Sequence, residues 1–213
     1  MRLIRLVPAA LILCVAAPAF GQEWIEYYSR SDAFLVNFPK QPQVRDIAYP
    51  TEFGLTLTGH LHVDEEGTSR FSVTVIDYSD IVKLHAERVK GCTAYPDQCT
   101  NQGANELRGA LEYAVWNFLK RDAKVTYFGY ANSDRIEGRR VQLTNPDKSK
   151  TFASIYMHEN RLIILEATVP KGYPPPTIFQ QSLGWLDEKG VRGRYQFIYY
   201  NEPDVPKPLM RGR

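Results

Sequence analysis

Cysteine, histidine and long apolar runs are all scarce in this 213-residue chain. It has three cysteines and four histidines. A structural zinc site needs about four Cys or His ligands close together, and no segment supplies them. No apolar run approaches the roughly 20 residues that a membrane-spanning helix requires. A strong charge of either sign is missing too: 26 Lys+Arg stand against 24 Asp+Glu. That balance gives no long-range steering toward nucleic acid or anionic lipid, so no nucleic-acid partner is expected. The chain has no glycine-rich phosphate loop, no G-x-S-x-G and no S-x-x-K, which leaves nucleotide binding and the motif-bearing serine enzymes without support. Catalysis by residues scattered along the sequence stays open, since a triad is recognised by geometry.

The N-terminus carries the first positive signal. Arg2 and Arg5 precede an apolar run from Leu6 to Ala17, followed by Pro18 and Ala19-Phe20-Gly21. A charged start, a short apolar stretch and small residues before Gln22 are the parts of a cleaved export signal. Residues 1–21 are therefore expected to be removed, leaving 22–200 as one domain and 201–213 as a proline-rich tail. Cys14 lies inside the signal, and bulky Leu13 before it disfavours lipidation. The signal takes two arginines and no acid with it, leaving 24 basic and 24 acidic side chains. The mature protein is expected in the periplasm or secreted, not spanning the membrane.

Export bears on the other two cysteines. Cys92 and Cys99 remain as an even pair in an oxidising compartment. A redox pair usually has two residues between its cysteines, whereas these have six. A disulfide staple is the expectation, with free or redox-active thiols and a metal pair as the alternatives.

Hydrophobic periodicity outlines the fold. Residues 23–28 (EWIEYY) read as a first strand, and Phe34, Val36 and Phe38 give a second by alternation. Residues 44–49 (VRDIAY) are a weaker candidate. Phe53, Leu55, Leu57, Leu61 and Val63, with Gly59 among them, then alternate with Thr56, Thr58, His60 and His62, as in a half-buried antiparallel strand. The segment 69–79 returns as its partner, with apolar residues on both faces. The period switches to helical over 80–89 and again over 103–122, where Leu107, Leu111, Val115 and Phe118 form a stripe and Glu106 is placed away from it. Strands follow around 123–131, 138–144, 150–158 and 161–169, with Gly138 suggesting a bulge or tight approach and the last two joined by a hairpin at Glu159-Asn160. Residues 177–186 read as a third helix and 194–200 as a closing edge strand. The sum is about eight or nine strands and about three helices, an α+β domain with an antiparallel sheet covered by helices.

The order of the opening aromatic strand, Phe34-x-Val36-x-Phe38-Pro39-x-x-Pro42, the glycine-containing strand and the late hairpin followed by PPPTIFQQSL resembles a known family. It is similar to the small bacterial exported proteins of the PsbP-like (PsbP/Mog) fold, over most of residues 24–187. The resemblance implies an antiparallel sheet sandwiched by helices and, in general, no catalysis. The cysteine loop and the proline-rich tail fall outside that pattern. No functional residue carries over, because members of such a fold do unrelated things.

Three groups of residues are candidates for function. His60 and His62 share a strand face about 7 Å apart, and Asp64 continues it; the set could hold zinc, copper or manganese, against the plainer expectation of a solvated strand face. Arg135, Arg139 and Arg140 form a basic cluster near Tyr127 and Tyr130, expected to protect a strand edge. Tyr195, Tyr199 and Tyr200 could form a partner surface, since tyrosine is enriched at interfaces. His158-Glu159 starts like a metalloprotease helix but lacks the second histidine. The expectation is a non-enzymatic exported binding or scaffolding module with an envelope protein as partner and no cofactor. A His60/His62 metal protein and a hydrolase with an unrecognised site are the alternatives.

Overall fold

In the computed structural model, residues 24–93 and 99–201 are described. The segment expected to be an export signal (1–21) and residues 202–213 of the expected tail lie outside them.

The chain begins with β1 (Ile25–Ser29) and β2 (Phe34–Phe38), a hairpin turning through Asp32 and Ala33. Then come β3 (Gln43–Pro50), β4 (Thr56–Glu66) and β5 (Ser69–Asp77), each antiparallel to the next. Two helices follow, α1 (Ile81–Lys90) and α2 (Gly103–Leu119). The second half gives β6 (Lys124–Ser133), β7 (Ile136–Thr144), β8 (Lys150–His158) and β9 (Arg161–Val169). It ends with α3 (Thr177–Gln181), β10 (Gly184–Leu186) and β11 (Arg192–Gly193).

The fold is α+β, with two antiparallel sheets. A seven-stranded sheet has the order β3-β4-β5-β9-β8-β7-β6, and a four-stranded sheet the order β1-β2-β10-β11. Helices α1 and α2 cover one face of the large sheet through Leu57, Ile81, Leu107, Val115, Phe118, Val141 and Ile155. The small sheet and α3 cover the other through Phe34, Val36, Phe38, Phe71, Val73, Leu165, Phe179 and Trp185. Strands β8 and β9 lie between the two cores. In β9, Ile163 and Leu165 enter one core and Leu162 and Ile164 the other, so the strand reads as an unbroken apolar run.

Several expectations change. Residues 177–186 do not form one helix: α3 stops at Gln181, and Gly184–Leu186 is a strand paired with β2. The apolar spacing that suggested a longer helix runs on through Leu183 and Leu186, which are buried, Leu183 in the core between the sheets and Leu186 in the small sheet itself. Residues 194–200 do not close the sheet either; Tyr199 makes one isolated parallel bridge to Ile136. One face of the large sheet is covered mainly by a second sheet rather than by helix, so the described strands number eleven. Glu106, placed by the pattern outside the apolar stripe of α2, is buried. At Gly138 the backbone of β8 approaches closely, since a Cβ there would sit 2.3 Å from the carbonyl oxygen of Ile155. The bulge lies instead in β6, between Val125 and Tyr127.

Candidate functional site

The β1–β2 turn places Asp32 over the face of β4 that carries His60 and His62. Nδ1 of His60 lies 2.6 Å from Asp32 Oδ1, and Nε2 of His62 lies 2.8 Å from Oδ2. An ionised carboxylate only accepts, so each ring turns an N–H toward Asp32. The Ser29 hydroxyl donates to the same Oδ2 at 2.9 Å, and the Tyr27 hydroxyl meets His62 Nδ1 at 3.0 Å. Burial pushes the Asp32 carboxyl up, but the bonds from His62, His60 and Ser29 outweigh it and hold the group well below the usual carboxylate range. The bond to Asp32 raises the His60 pKa above its ordinary value, against a smaller opposing effect of burial.

The expectation of a solvated face fails here. His62 is 1% exposed and Asp64 is also buried, because the small sheet folds over this part of β4. Both ring nitrogens of His62 are engaged in hydrogen bonds. His60 stays half-exposed, with Nε2 3.7 Å from Asp46 Oδ1. Among the described residues, no group of three or more His, Cys, Asp and Glu side chains is arranged to hold a metal ion. The serine of this cluster bonds the carboxylate and not an imidazole. A nucleophile activated by histidine needs the imidazole between hydroxyl and acid, so the cluster has the wrong order for that chemistry.

A second buried pair joins the helices. Nε2 of His85 on α1 meets Oε2 of Glu106 on α2, and Oε1 of Glu106 accepts the Phe53 N–H at 2.9 Å. Nearby, a cleft of about 430 Å³ is lined by Phe53, His85, Arg88, Thr100 and both cysteines. Cys92 and Cys99 are joined as a disulfide with Cα atoms 5.8 Å apart. Arg88 Nη1 donates to the Phe53 carbonyl at 2.6 Å, and Thr100 Oγ1 accepts from Gln102 Nε2 at 2.6 Å.

The tyrosine candidates split into two roles. Tyr195 and Tyr199 are anchors: the Tyr195 hydroxyl lies 2.7 Å from His158 Nε2, and Tyr199 accepts the Glu159 N–H at 2.9 Å. The Tyr199 N–H donates to the Arg135 carbonyl at 3.1 Å. Asn201, expected at the head of the tail, accepts the Asn160 N–H at 2.7 Å. Burial raises the pKa of both tyrosines, so they stay protonated donors. Burial, reinforced by Arg161, lowers the pKa of His158 to about 4. Tyr200 is 65% exposed, beside Phe197 at 80% and Ile198. These residues line a groove of about 520 Å³ with Glu159 and Asn160.

The arginine cluster is partly neutralised, because Arg139 Nη2 pairs with Glu112 of α2 at 2.7 Å. Sequence reasoning missed Asp32 and Glu106. Asp32 sits in a turn whose spacing reveals nothing. Glu106 had a signal: it stands four residues before Ala110 and eight before Ala114, both buried, so small residues continue its face toward the core.

No protein family's sequence pattern matches the chain, and no curated protein matches it. Among solved structures it is similar to the solution structure of cyanobacterial PsbP (CyanoP) from Synechocystis sp. PCC 6803. The two share 14% identity over 74% of this chain and 86% of that one, with a TM-score of 0.38. The functional reading therefore rests on the geometry of this chain.

Proposed function

We propose that the protein is an exported, non-enzymatic module that binds a partner in the cell envelope through its C-terminal aromatic segment. The observation that carries this reading is the division of roles within residues 195–201. Tyr195, Tyr199 and Asn201 fix the segment to the β8–β9 hairpin through side-chain bonds. Phe197, Ile198 and Tyr200 are left facing solvent. A held backbone loses little further freedom on binding, and exposed aromatics supply the apolar area that partner contacts use. The N-terminal signal features and the paired cysteines support an envelope location.

The test is a photo-crosslinking residue at Phe197 in intact cells, compared with one at exposed Lys189. The expected result is one discrete adduct with an envelope protein from position 197 alone, weakened by Tyr200→Ser. Equal, diffuse labelling from both positions would overturn the reading. Export is tested separately: the N-terminus of native material should be Gln22, and an intact Met1 would remove the envelope from the proposal.

A further inference from the structure

The two edges of the large sheet are built differently. At one edge, β3 carries Arg45 and Asp46 and ends in Pro50, the charges and missing N–H that keep edge strands from pairing. At the other, β6 has one charge, Lys124 at its first residue, and then none through Ser133. Val125, Tyr127, Phe128 and Tyr130 are all exposed, Tyr130 to 55%. On the helix-covered face, Glu112 of α2 pairs with Arg139, which lies directly opposite Tyr130.

The backbone of this edge is open and its polarity is set by the hairpin. Asp134 and Arg135 both have positive φ, 47° and 69°, as in a two-residue turn closed by the hydrogen-bonded pair Ser133 and Ile136. Counting back by alternation, Asn132, Tyr130 and Phe128 direct their N–H and C=O groups away from β7. Among the described residues no strand pairs with β6 on that side.

We propose that a second copy of this chain occupies the edge, with the two β6 strands antiparallel about a two-fold axis at Gly129. That register sets Phe128 against Tyr130 of the second copy, twice by symmetry, in the aromatic cross-strand pairing that stabilises sheets. It keeps the two Lys124 side chains at opposite ends and brings each to the end where the other copy carries Asp134. Like charges therefore separate; Asp134 already lies 3.5 Å from Arg192 of its own copy, so the aromatic pairs carry the contact. The two large sheets become one continuous sheet, and the bulge between Val125 and Tyr127 ends the regular stretch. The contact is independent of the C-terminal segment.

Sedimentation equilibrium of the purified protein at tens of micromolar is expected to give a dimer, with backbone amides of Phe128 and Tyr130 exchanging slowly. Tyr130→Lys is expected to weaken the dimer by about tenfold or more, because each lysine would face Phe128 of the other copy, removing both aromatic pairs and setting a charge into the seam. Asp46→Ala on the β3 edge is expected to leave it unchanged. A monomer at those concentrations, or a dimer whose Phe128 and Tyr130 amides exchange fast, would overturn the proposal. The exchange measurement on wild type decides the matter even if Tyr130→Lys fails to fold.

Discussion

Oδ2 of Asp32 lies 2.8 Å from Nε2 of His62, in a position closed to solvent on both sides of the contact. The pair ties the β1–β2 turn to β4, and so the small sheet to the large one. Removing the imidazole takes one of three bonds from a buried carboxylate and leaves a void beside it, which costs more than a bond is worth when made. His62→Ala should lower stability by roughly 3 kcal/mol, whereas His60→Ala, at a half-exposed ring, should cost less. Urea unfolding at neutral pH reads both; equal midpoints for His62→Ala and wild type would contradict the burial of Asp32. The sign with pH follows from the two shifts. The depressed pKa of Asp32 stabilises the fold above the ordinary carboxylate range and loses that contribution as pH falls. The raised pKa of His60 contributes below about 6.5 and is lost as pH rises through its folded value.

Glu106 serves two partners at once, the His85 ring and the Phe53 backbone N–H. Glu106→Ala should therefore destabilise by about 3 kcal/mol, since each buried donor left alone costs about 1–3 kcal/mol. Glu106→Gln keeps one acceptor oxygen and should recover part of the loss. Hydrogen exchange adds a local signature: the Phe53 amide should lose protection in the alanine variant and retain some in the glutamine variant. Unchanged protection of Phe53 in both would mean that Glu106 does not hold that loop.

His158 sets an acid sensitivity. Its folded pKa of about 4 lies below the ordinary value of 6.5, so the unfolded chain takes up the proton first on acidification. Stability is intact above pH 6.5 and falls as the pH approaches 4, by roughly 3 kcal/mol from this group at about 1.4 kcal/mol per unit. In urea titrations between pH 7 and 4.5, His158→Gln should lose less than wild type. Parallel losses in the two proteins would show that the ring is not the group that titrates. Protonation also removes the acceptor that faces the Tyr195 hydroxyl, so the C-terminal segment should loosen over the same range.

The sequence made some of this legible and hid the rest for a physical reason. Alternation exposed β2 and β4, the Glu159-Asn160 turn took positive φ at both residues, and Gly138 marked a close backbone approach. Periodicity reports only whether a residue faces apolar or polar neighbours on its own element. The cover over His62 comes from Tyr27, Asp32 and Phe34 in β1, β2 and the turn between them, a hairpin that belongs to the other sheet. A polar side chain under such a cover reads as solvated until its partner, here Asp32, is seen. For the same reason Leu183 and Leu186 read as a helical stripe with Ile178 and Phe179, although one lies just before a strand and the other within it. The tyrosine cluster was visible by composition, but which tyrosines anchor and which face solvent depended on His158 and Glu159 in a distant hairpin.

The disulfide should add stability without shaping the fold. The junction it braces is already held: Asn101 Nδ2 donates to the Val82 carbonyl at 3.0 Å, and a Cβ on Gly103 would sit 2.4 Å from Val82 Cα. With α1 and α2 in backbone contact there, opening the bridge leaves the native geometry in place and acts on the unfolded chain. Closing so short a loop is worth roughly 2 kcal/mol by chain entropy. The Cys92→Ser, Cys99→Ser double variant should therefore lose about that much in urea unfolding, with an unchanged near-ultraviolet spectrum from the aromatic core. Gly103→Ala, by contrast, should disturb the helix pair itself, because the atom it meets is backbone and cannot rotate away. If the double variant matches wild type in stability, and alkylation of native material finds both thiols free, the cysteines are free or redox-active thiols and not a staple.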